Sequence, residues 1–319
     1  MELKAVITAL AYSILISGAF LGNFVVLFVI KKFQHMHTTT NFLLANLAVA
    51  GLWIAFWSVP FVILNSLTHV HEEGGQFLCK FLSMNNMSGI SIVVSVGTMT
   101  FLAVERYFAL LKPMNTQLRI EKSAVWKYVT GLWLFATLLN MPTILYAEFD
   151  KERQKCVYIW NQTPYAVTIV FFAAFSASII TFCYGKILIE LYISKTICNE
   201  GVEEDQESKQ KVVKLLLIQV IGFFLSYVPF VVVEFVIPQK RPILHYICTY
   251  LLYCSSAINP IIYALRCSNY RKAYKEVALE FKERMKCCSC KVRPVQQSCS
   301  SSGKESTRAP NYYTSDQVI

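Results

Sequence analysis

Glu105-Arg106-Tyr107 stands where an uncharged run of 24 residues, 81–104, comes to an end. No HExxH pattern and no pair of acids occurs in the apolar runs of the chain, so enzymatic chemistry has no candidate there and no enzyme is expected. What the triplet offers is recognition. A planar guanidinium at the mouth of an uncharged segment is a hydrogen-bonding hook for carbonyls or carboxylates. The same triplet also fits an arginine that merely snorkels from a helix end to lipid headgroups.

Other reactive side chains are few. His69, His71, Glu72 and Glu73 share one short stretch, which suits a solvated loop better than a metal site; no cofactor is expected. Cys79 and Cys156 lie outside the apolar runs, on the side assigned below as outer. A bond between them would tie the loop after the fourth run to the tip of the third; two free thiols are the alternative. Asn161-Gln162-Thr163 matches the glycosylation acceptor pattern on that side, whereas Asn86-Met87-Ser88 falls inside the third run and is discounted. Cys287, Cys288 and Cys290 follow basic residues near the other face, a context for palmitoylation rather than a disulfide or a metal.

Positioning these residues takes a membrane. The chain is 55% hydrophobic and 16% charged, and seven runs lack formal charge: residues 5–30, 38–69, 81–104, 128–147, 157–184, 215–233 and 242–265. A helix crosses the hydrocarbon core with about 20 residues, and backbone groups in lipid must pair within their own segment. The fold class is therefore an all-α membrane protein, a seven-transmembrane helix bundle. With the N-terminus outside, 23 of the 30 Lys and Arg fall on inner segments, and acids divide 13 inside to 7 outside. The net charge of +10 then faces anionic inner-leaflet lipid. No basic patch interleaved with aromatics points to nucleic acid. About four residues precede the first run, so neither a cleavable leader nor an outer domain is expected there.

Inside the runs, Asn23 should face the bundle, since an amide in lipid seeks a partner. Pro60, Pro229 and Pro260 each remove a backbone hydrogen bond and should bend their helices. Between the fifth and sixth runs, Glu203, Glu204, Asp205 and Glu207 form a solvated acidic cluster ahead of Lys209, Lys211 and Lys214, where a cytosolic partner or lipid would meet the chain. After the seventh, Tyr270, Tyr274, Val277 and Phe281 recur at helical spacing between Arg and Lys, the pattern of a short amphipathic membrane-surface helix 8. The Ser- and Thr-rich end should be disordered. The domains are thus 1–267 for the bundle, 268–290 for the surface helix with its cysteines, and 291–319 for a cytoplasmic tail.

Taken in order, the pieces resemble the rhodopsin-like class of G-protein-coupled receptors. They are Gly22-Asn23, Leu47-Ala48, Cys79 with Cys156, Glu105-Arg106-Tyr107, Trp133, Tyr184, Phe223 with Pro229, and Asn259-Pro260-Ile261-Ile262-Tyr263. The resemblance implies a multi-pass plasma-membrane receptor that answers an extracellular ligand. The sixth helix would swing outward at its inner end and expose Arg106 to a heterotrimeric G-protein, with Tyr184 and Tyr263 turning in to hold the open form. Arrestin and a receptor kinase are the implied partners of the tail.

Several positions depart from the family pattern. The usual aspartate of the second helix falls at Gly51, which puts the family's buried sodium site in doubt. The tryptophan under the ligand pocket falls at Tyr227 and the fifth-helix proline at Ser176. Cys79 and Arg106 are 27 positions apart, two more than usual, which calls for a bulge near the outer end of the third helix. The sixth-helix acid that restrains the arginine falls at Lys209. A loosened inactive state, with high basal signalling or an altered switch, is the expectation.

The ligand is narrowed by exclusion. No acid lies in 81–104 to bind an amine, and Tyr253 stands where retinal-binding relatives carry lysine. Pocket candidates are Asn85, Asn86 and Ser88 on the third helix, Tyr227, Phe230 and Glu234 on the sixth, and Thr249 and Tyr253 on the seventh. A small peptide is preferred, with a lipid or small organic ligand as the alternative. A decoy receptor and a transporter are the rival functions, the second disfavoured because the runs carry no ionisable group at mid-membrane.

Overall fold

Apolar runs of this length close their backbone hydrogen bonds by coiling. In the computed structural model, which describes residues 3–67, 75–83, 86–112, 120–152, 155–193, 203–233 and 242–291, each run does so. The helices are α1 (Leu3–Lys32), α2 (Thr39–Leu67), α3 (Asn86–Leu111), α4 (Lys122–Leu145), α5 (Thr163–Leu188), α6 (Glu203–Val231) and α7 (Pro242–Arg266), followed by α8 (Ser268–Lys291). Among the described residues, seven helices are long and apolar enough to cross a bilayer. The chain forms two compact units, Met1–Val277, which holds the bundle and the start of α8, and Ala278–Ile319.

Several boundaries differ from expectation. The fifth apolar run does not begin as helix, because Lys155–Tyr158 is a strand, β2, antiparallel to β1 (Ala147–Asp150) with Phe149 opposite Cys156. Val157 and Tyr158 are apolar enough for a membrane run and β-favouring enough for a hairpin, and absence of charge does not separate the two. Helix α5 starts at Thr163, with Pro164 in its first turn. Helices α4 and α6 start earlier than their uncharged runs, since a helix can continue past the lipid into water carrying charged residues.

The entry to α3 has the expected irregularity. A helical turn at Gly75–Phe77 leads into a π-helical stretch, Leu78–Ser83. Such wide turns absorb extra residues, which accounts for the long spacing between Cys79 and Arg106.

Helix α3 is the axis: 61% of its apolar window is buried, against 22% for α4 and α5. Helices α2, α4 and α5 pack on it, α1 lies against α2 and α7, and α6 lies against α7. Gly22 permits the α1–α7 contact, because a Cβ there would sit 2.9 Å from Pro260 Cγ. Ile14, Trp126 and Phe171 are at least 70% exposed. In water that surface would mark an interaction site; in a bilayer it meets lipid tails.

Polar groups within the spans find partners on neighbouring helices. Asn23 donates to the carbonyls of Ala19 (2.8 Å) and Ser256 (3.2 Å), facing inward as expected. Trp133 Nε1 donates to Asn46 Oδ1 (3.0 Å) and Asn46 Nδ2 to Thr98 Oγ1 (2.7 Å), which joins α4, α2 and α3. In α8, Tyr270 and Ala273 are buried and Tyr274 and Val277 pack on the core, while Arg271, Lys272 and Lys275 are exposed. That is the expected amphipathic division as far as Val277, whereas Phe281, the fourth residue of the expected stripe, is exposed. Tyr270 donates its hydroxyl to Asn41 Oδ1 (3.2 Å), and burial pushes its phenol above the ordinary value, which keeps it a neutral donor.

Candidate functional site

Arg106 occupies one end of the bundle and is not the unpaired hook its sequence context suggested. Its Nε lies 2.5 Å from Glu105 Oε2 and its Nη2 2.7 Å from Glu105 Oε1. The same Nη2 donates to Thr40 Oγ1 on α2. Consecutive helical residues point about 100° apart, so the long arginine side chain folds back over its own helix to reach Glu105. Glu105 is buried, and a buried carboxylate requires a partner of this kind. The expectation of a loosened arginine is corrected to this extent: Glu105 and Thr40 hold it without an acid from α6.

Beside it opens a cleft of about 620 Å³, whose walls include Arg106, Lys214 of α6, Tyr263 and Arg266 of α7, and Arg271 of α8. Tyr263 is buried, its hydroxyl accepts from Gln219 Nε2 of α6 (3.0 Å), and its ring centroid lies 5.2 Å from that of Tyr270. The α6–α7 pair is thus closed by a neutral hydrogen bond. Tyr184 of α5 is buried within electrostatic reach of Arg106, and its hydroxyl has no hydrogen-bond partner among the described residues. Tyr107 turns towards α5, its ring 5.9 Å from Phe182.

Farther along the bundle, Tyr227 stacks on Phe223 at 4.7 Å, both of them ahead of Pro229 in α6. Both rings line a small cavity of about 20 Å³ together with Gly51, Ser95, Ser255 and Asn259. That volume holds about one water. A Cβ at Gly51 would stand 2.6 Å from Asn23 Nδ2 and 2.7 Å from Ser256 Oγ, so neighbours already fill the place of a longer side chain. Ser256 Oγ is buried without a protein partner among the described residues. Among the described residues no carboxylate lines the cavity, and a neutral lining this small is poorly suited to a cation. Ser176, where the family proline falls, is buried in an uninterrupted α5.

At the other end the Cys79–Cys156 disulfide ties β2 to the entry of α3. Asn86 is fully engaged there. Its Nδ2 donates to the carbonyls of Lys80 and Thr143, both at 3.0 Å, and its Oδ1 accepts from the Tyr158 hydroxyl at 2.5 Å. Ser88, Thr249 and Tyr253 are buried, and Phe230 is half-buried with its ring 6.5 Å from Tyr227. Tyr253 meets Tyr12 of α1 edge-on at 5.8 Å. Asn161 is exposed just before α5, its Oδ1 accepting from the Thr163 amide (3.0 Å). Asn85, Glu234 and the stretch 69–73 lie outside the described residues, as do the side chains of Lys209, Cys287, Cys288 and Cys290.

Thr40 and Gln219 went unmarked in the sequence. Gln219 carried a usable signal, since the amide logic that places Asn23 inward applies equally to the one glutamine of the sixth run. Thr40 carried none, because a threonine near a helix start is ordinary.

Seven crossing helices around a buried α3, an arginine end with its acid beside it, and a disulfide at the opposite end define a receptor bundle. The family described as "7 transmembrane receptor (rhodopsin family)" matches residues 22–263, and the chain belongs to it. Similar proteins include somatostatin receptor type 4 of Rattus norvegicus, 26% identical over 287 residues covering 87% of this chain and 72% of the relative. The substance-P receptor of Homo sapiens is 29% identical over 309 residues, 89% of this chain and 72% of the relative. Neuropeptide FF receptor 2 of Mus musculus is 25% identical over 320 residues, 90% and 74% respectively. The chain is therefore a multi-pass membrane receptor of the rhodopsin family and not an enzyme.

Proposed function

We propose that this receptor takes an extracellular peptide at its disulfide end and signals to a heterotrimeric G-protein at its arginine end. One observation carries the proposal: Arg106 lies on the wall of a 620 Å³ cleft beside which a Gln219–Tyr263 hydrogen bond joins α6 to α7. The charge distribution supports an outside N-terminus and an inside C-terminus. A peptide ligand is supported by relatives named for somatostatin, substance P and neuropeptide FF. Candidate contacts are Asn85, Ser88, Phe230, Glu234, Thr249 and Tyr253, while Asn86 holds the pocket wall.

Peptide binding would favour an arrangement in which α6 moves away from α7, Gln219 releases Tyr263, and Arg106 leaves Glu105 and Thr40 for the G-protein. Such a shift needs a ligand with only a few kcal/mol of preference for one arrangement. Palmitate on Cys287, Cys288 and Cys290 would anchor α8 to lipid, a glycan on Asn161 would face outside, and arrestin and a receptor kinase would act on the tail.

The test is a peptide library applied to cells that express the receptor with a promiscuous G-protein. A peptide that evokes a response in wild type and none in Arg106→Ala, at equal surface expression, supports the proposal. A response untouched by that substitution refutes it.

A further inference from the structure

Helices α4 and α5 both pack on α3, and between them a groove of about 400 Å³ opens towards the lipid. Its walls carry Tyr128 and Phe135 of α4, Phe172 and Phe175 of α5 and Thr100 of α3, with no acid or base among the lining residues. Phe135 and Phe175 are 45% and 58% exposed, so the mouth faces the bilayer and not the bundle interior. Gly131 lines the same groove, and a Cβ there would meet nothing within 4 Å. Ser176, only 2% exposed, lines it too. Neighbouring hydroxyls return to a carbonyl of their own helix, as Thr168 does to Pro164 (2.8 Å), Ser178 to Ala174 (2.9 Å) and Thr100 to Val96 (2.9 Å). Ser176 does not: its hydroxyl forms no hydrogen bond among the described residues. A buried donor left open in an apolar slot is a hydrogen-bonding site without its partner.

We infer that this groove binds a neutral ketosteroid taken up from the bilayer, whose carbonyl accepts a hydrogen bond from Ser176. The inference depends on the membrane placement of the bundle and on neither the peptide nor the G-protein. A slot with no charged lining residue selects a neutral guest, since a charge brought to this depth would go unpaired. The α4 rim from Tyr128 to Phe135 is about 10 Å long, which matches a fused four-ring skeleton. Aromatic walls and the missing side chain at Gly131 suit a rigid body, which loses less conformational entropy on docking than an acyl chain does. Ser176 lies midway along α5 (Thr163–Leu188). A sterol whose one hydroxyl stays at headgroup level brings no acceptor to that depth, whereas a steroid with a ketone at its inner end does. Ser176 stands where the family proline falls, and proline has no hydroxyl to offer, so the open donor belongs to this chain's departure from the pattern.

The experiment uses the full chain in phosphatidylcholine nanodiscs, without G-protein, and tritiated promegestone, a ketosteroid that couples to adjacent residues under ultraviolet light. The label should saturate and map to peptides of α4 and α5. Progesterone in excess should remove it, and cholesterol in excess should not. Gly131→Leu fills the groove from an exposed, open position and should cut the label about tenfold or more. Ser176→Ala should lower the affinity for promegestone about fivefold, the loss expected for one hydrogen bond. The hydrocarbon analogue 5α-pregnane should compete equally well in wild type and Ser176→Ala, which also shows that the variant keeps its groove. Equal competition by cholesterol would make the groove a general sterol surface. A label untouched by Gly131→Leu would place the steroid elsewhere, and unchanged affinity in Ser176→Ala would remove the hydroxyl from recognition. Each of these three results overturns the inference.

Discussion

Arg106 gains its hold from two directions, its own neighbour Glu105 and the α2 hydroxyl of Thr40. Thr40 is the more revealing partner, because removing it leaves the ion pair intact. Thr40→Val keeps the volume and deletes a charge-assisted bond of about 1–2 kcal/mol, so basal nucleotide exchange should rise about fivefold or more. Gln219→Leu should act similarly by freeing Tyr263, and a Gln219→Leu/Tyr263→Phe pair should add little beyond either single change, as expected of two ends of one contact. Purified G-protein exchange without ligand measures all of these, and strictly additive effects would show that the Gln219–Tyr263 bond is not the route. The triplet marked Arg106 from residue types alone, while Tyr184 and Tyr263 entered only through the resemblance to the receptor family. Neither route named the partners, because Thr40 is 66 positions from Arg106 and Gln219 is 44 from Tyr263, and contacts across helices leave no local periodicity.

Among the elements, helix identity was readable and helix ends were not. Absence of charge locates the lipid-crossing part of a helix, while α4 and α6 extend beyond it into water. The β1–β2 hairpin was hidden for the opposite reason, since Val157 and Tyr158 satisfy both a membrane run and a strand. The irregular entry of α3 was foreseen only by counting residues between Cys79 and Arg106. That region depends on Asn86, which links Lys80, Thr143 and Tyr158 through one amide. Asn86→Ala should cost about 2 kcal/mol by leaving buried carbonyls and a phenol unpaired. A lower thermal midpoint of the detergent-solubilised receptor should reveal it, with affinity for the proposed peptide falling because the hairpin fastened to the entry of α3 loosens. An unchanged midpoint would mean that water replaces the amide at no cost.

At the level of the whole receptor, the bundle is held in two different ways along its axis. The disulfide end is covalently fastened, whereas the arginine end is held among the described residues by hydrogen bonds such as Gln219–Tyr263 and Tyr270–Asn41 and by the Glu105–Arg106 pair. Between them, the Gly51 cavity is neutral and about one water in size. Replacing sodium by potassium at constant ionic strength should therefore leave the thermal midpoint and peptide affinity where they are. A sodium-dependent shift of several degrees would place a cation where the lining offers it no carboxylate. The proposed motion belongs at the end without a covalent tie, where Arg106 is paired with Glu105 and Thr40. The most direct measurement is nucleotide exchange by a purified heterotrimeric G-protein on receptor nanodiscs, wild type beside Arg106→Ala, with peptide binding recorded on the same samples. Exchange should rise with wild type and stay at the G-protein's own rate with Arg106→Ala while the peptide still binds; equal stimulation by both would contradict the account.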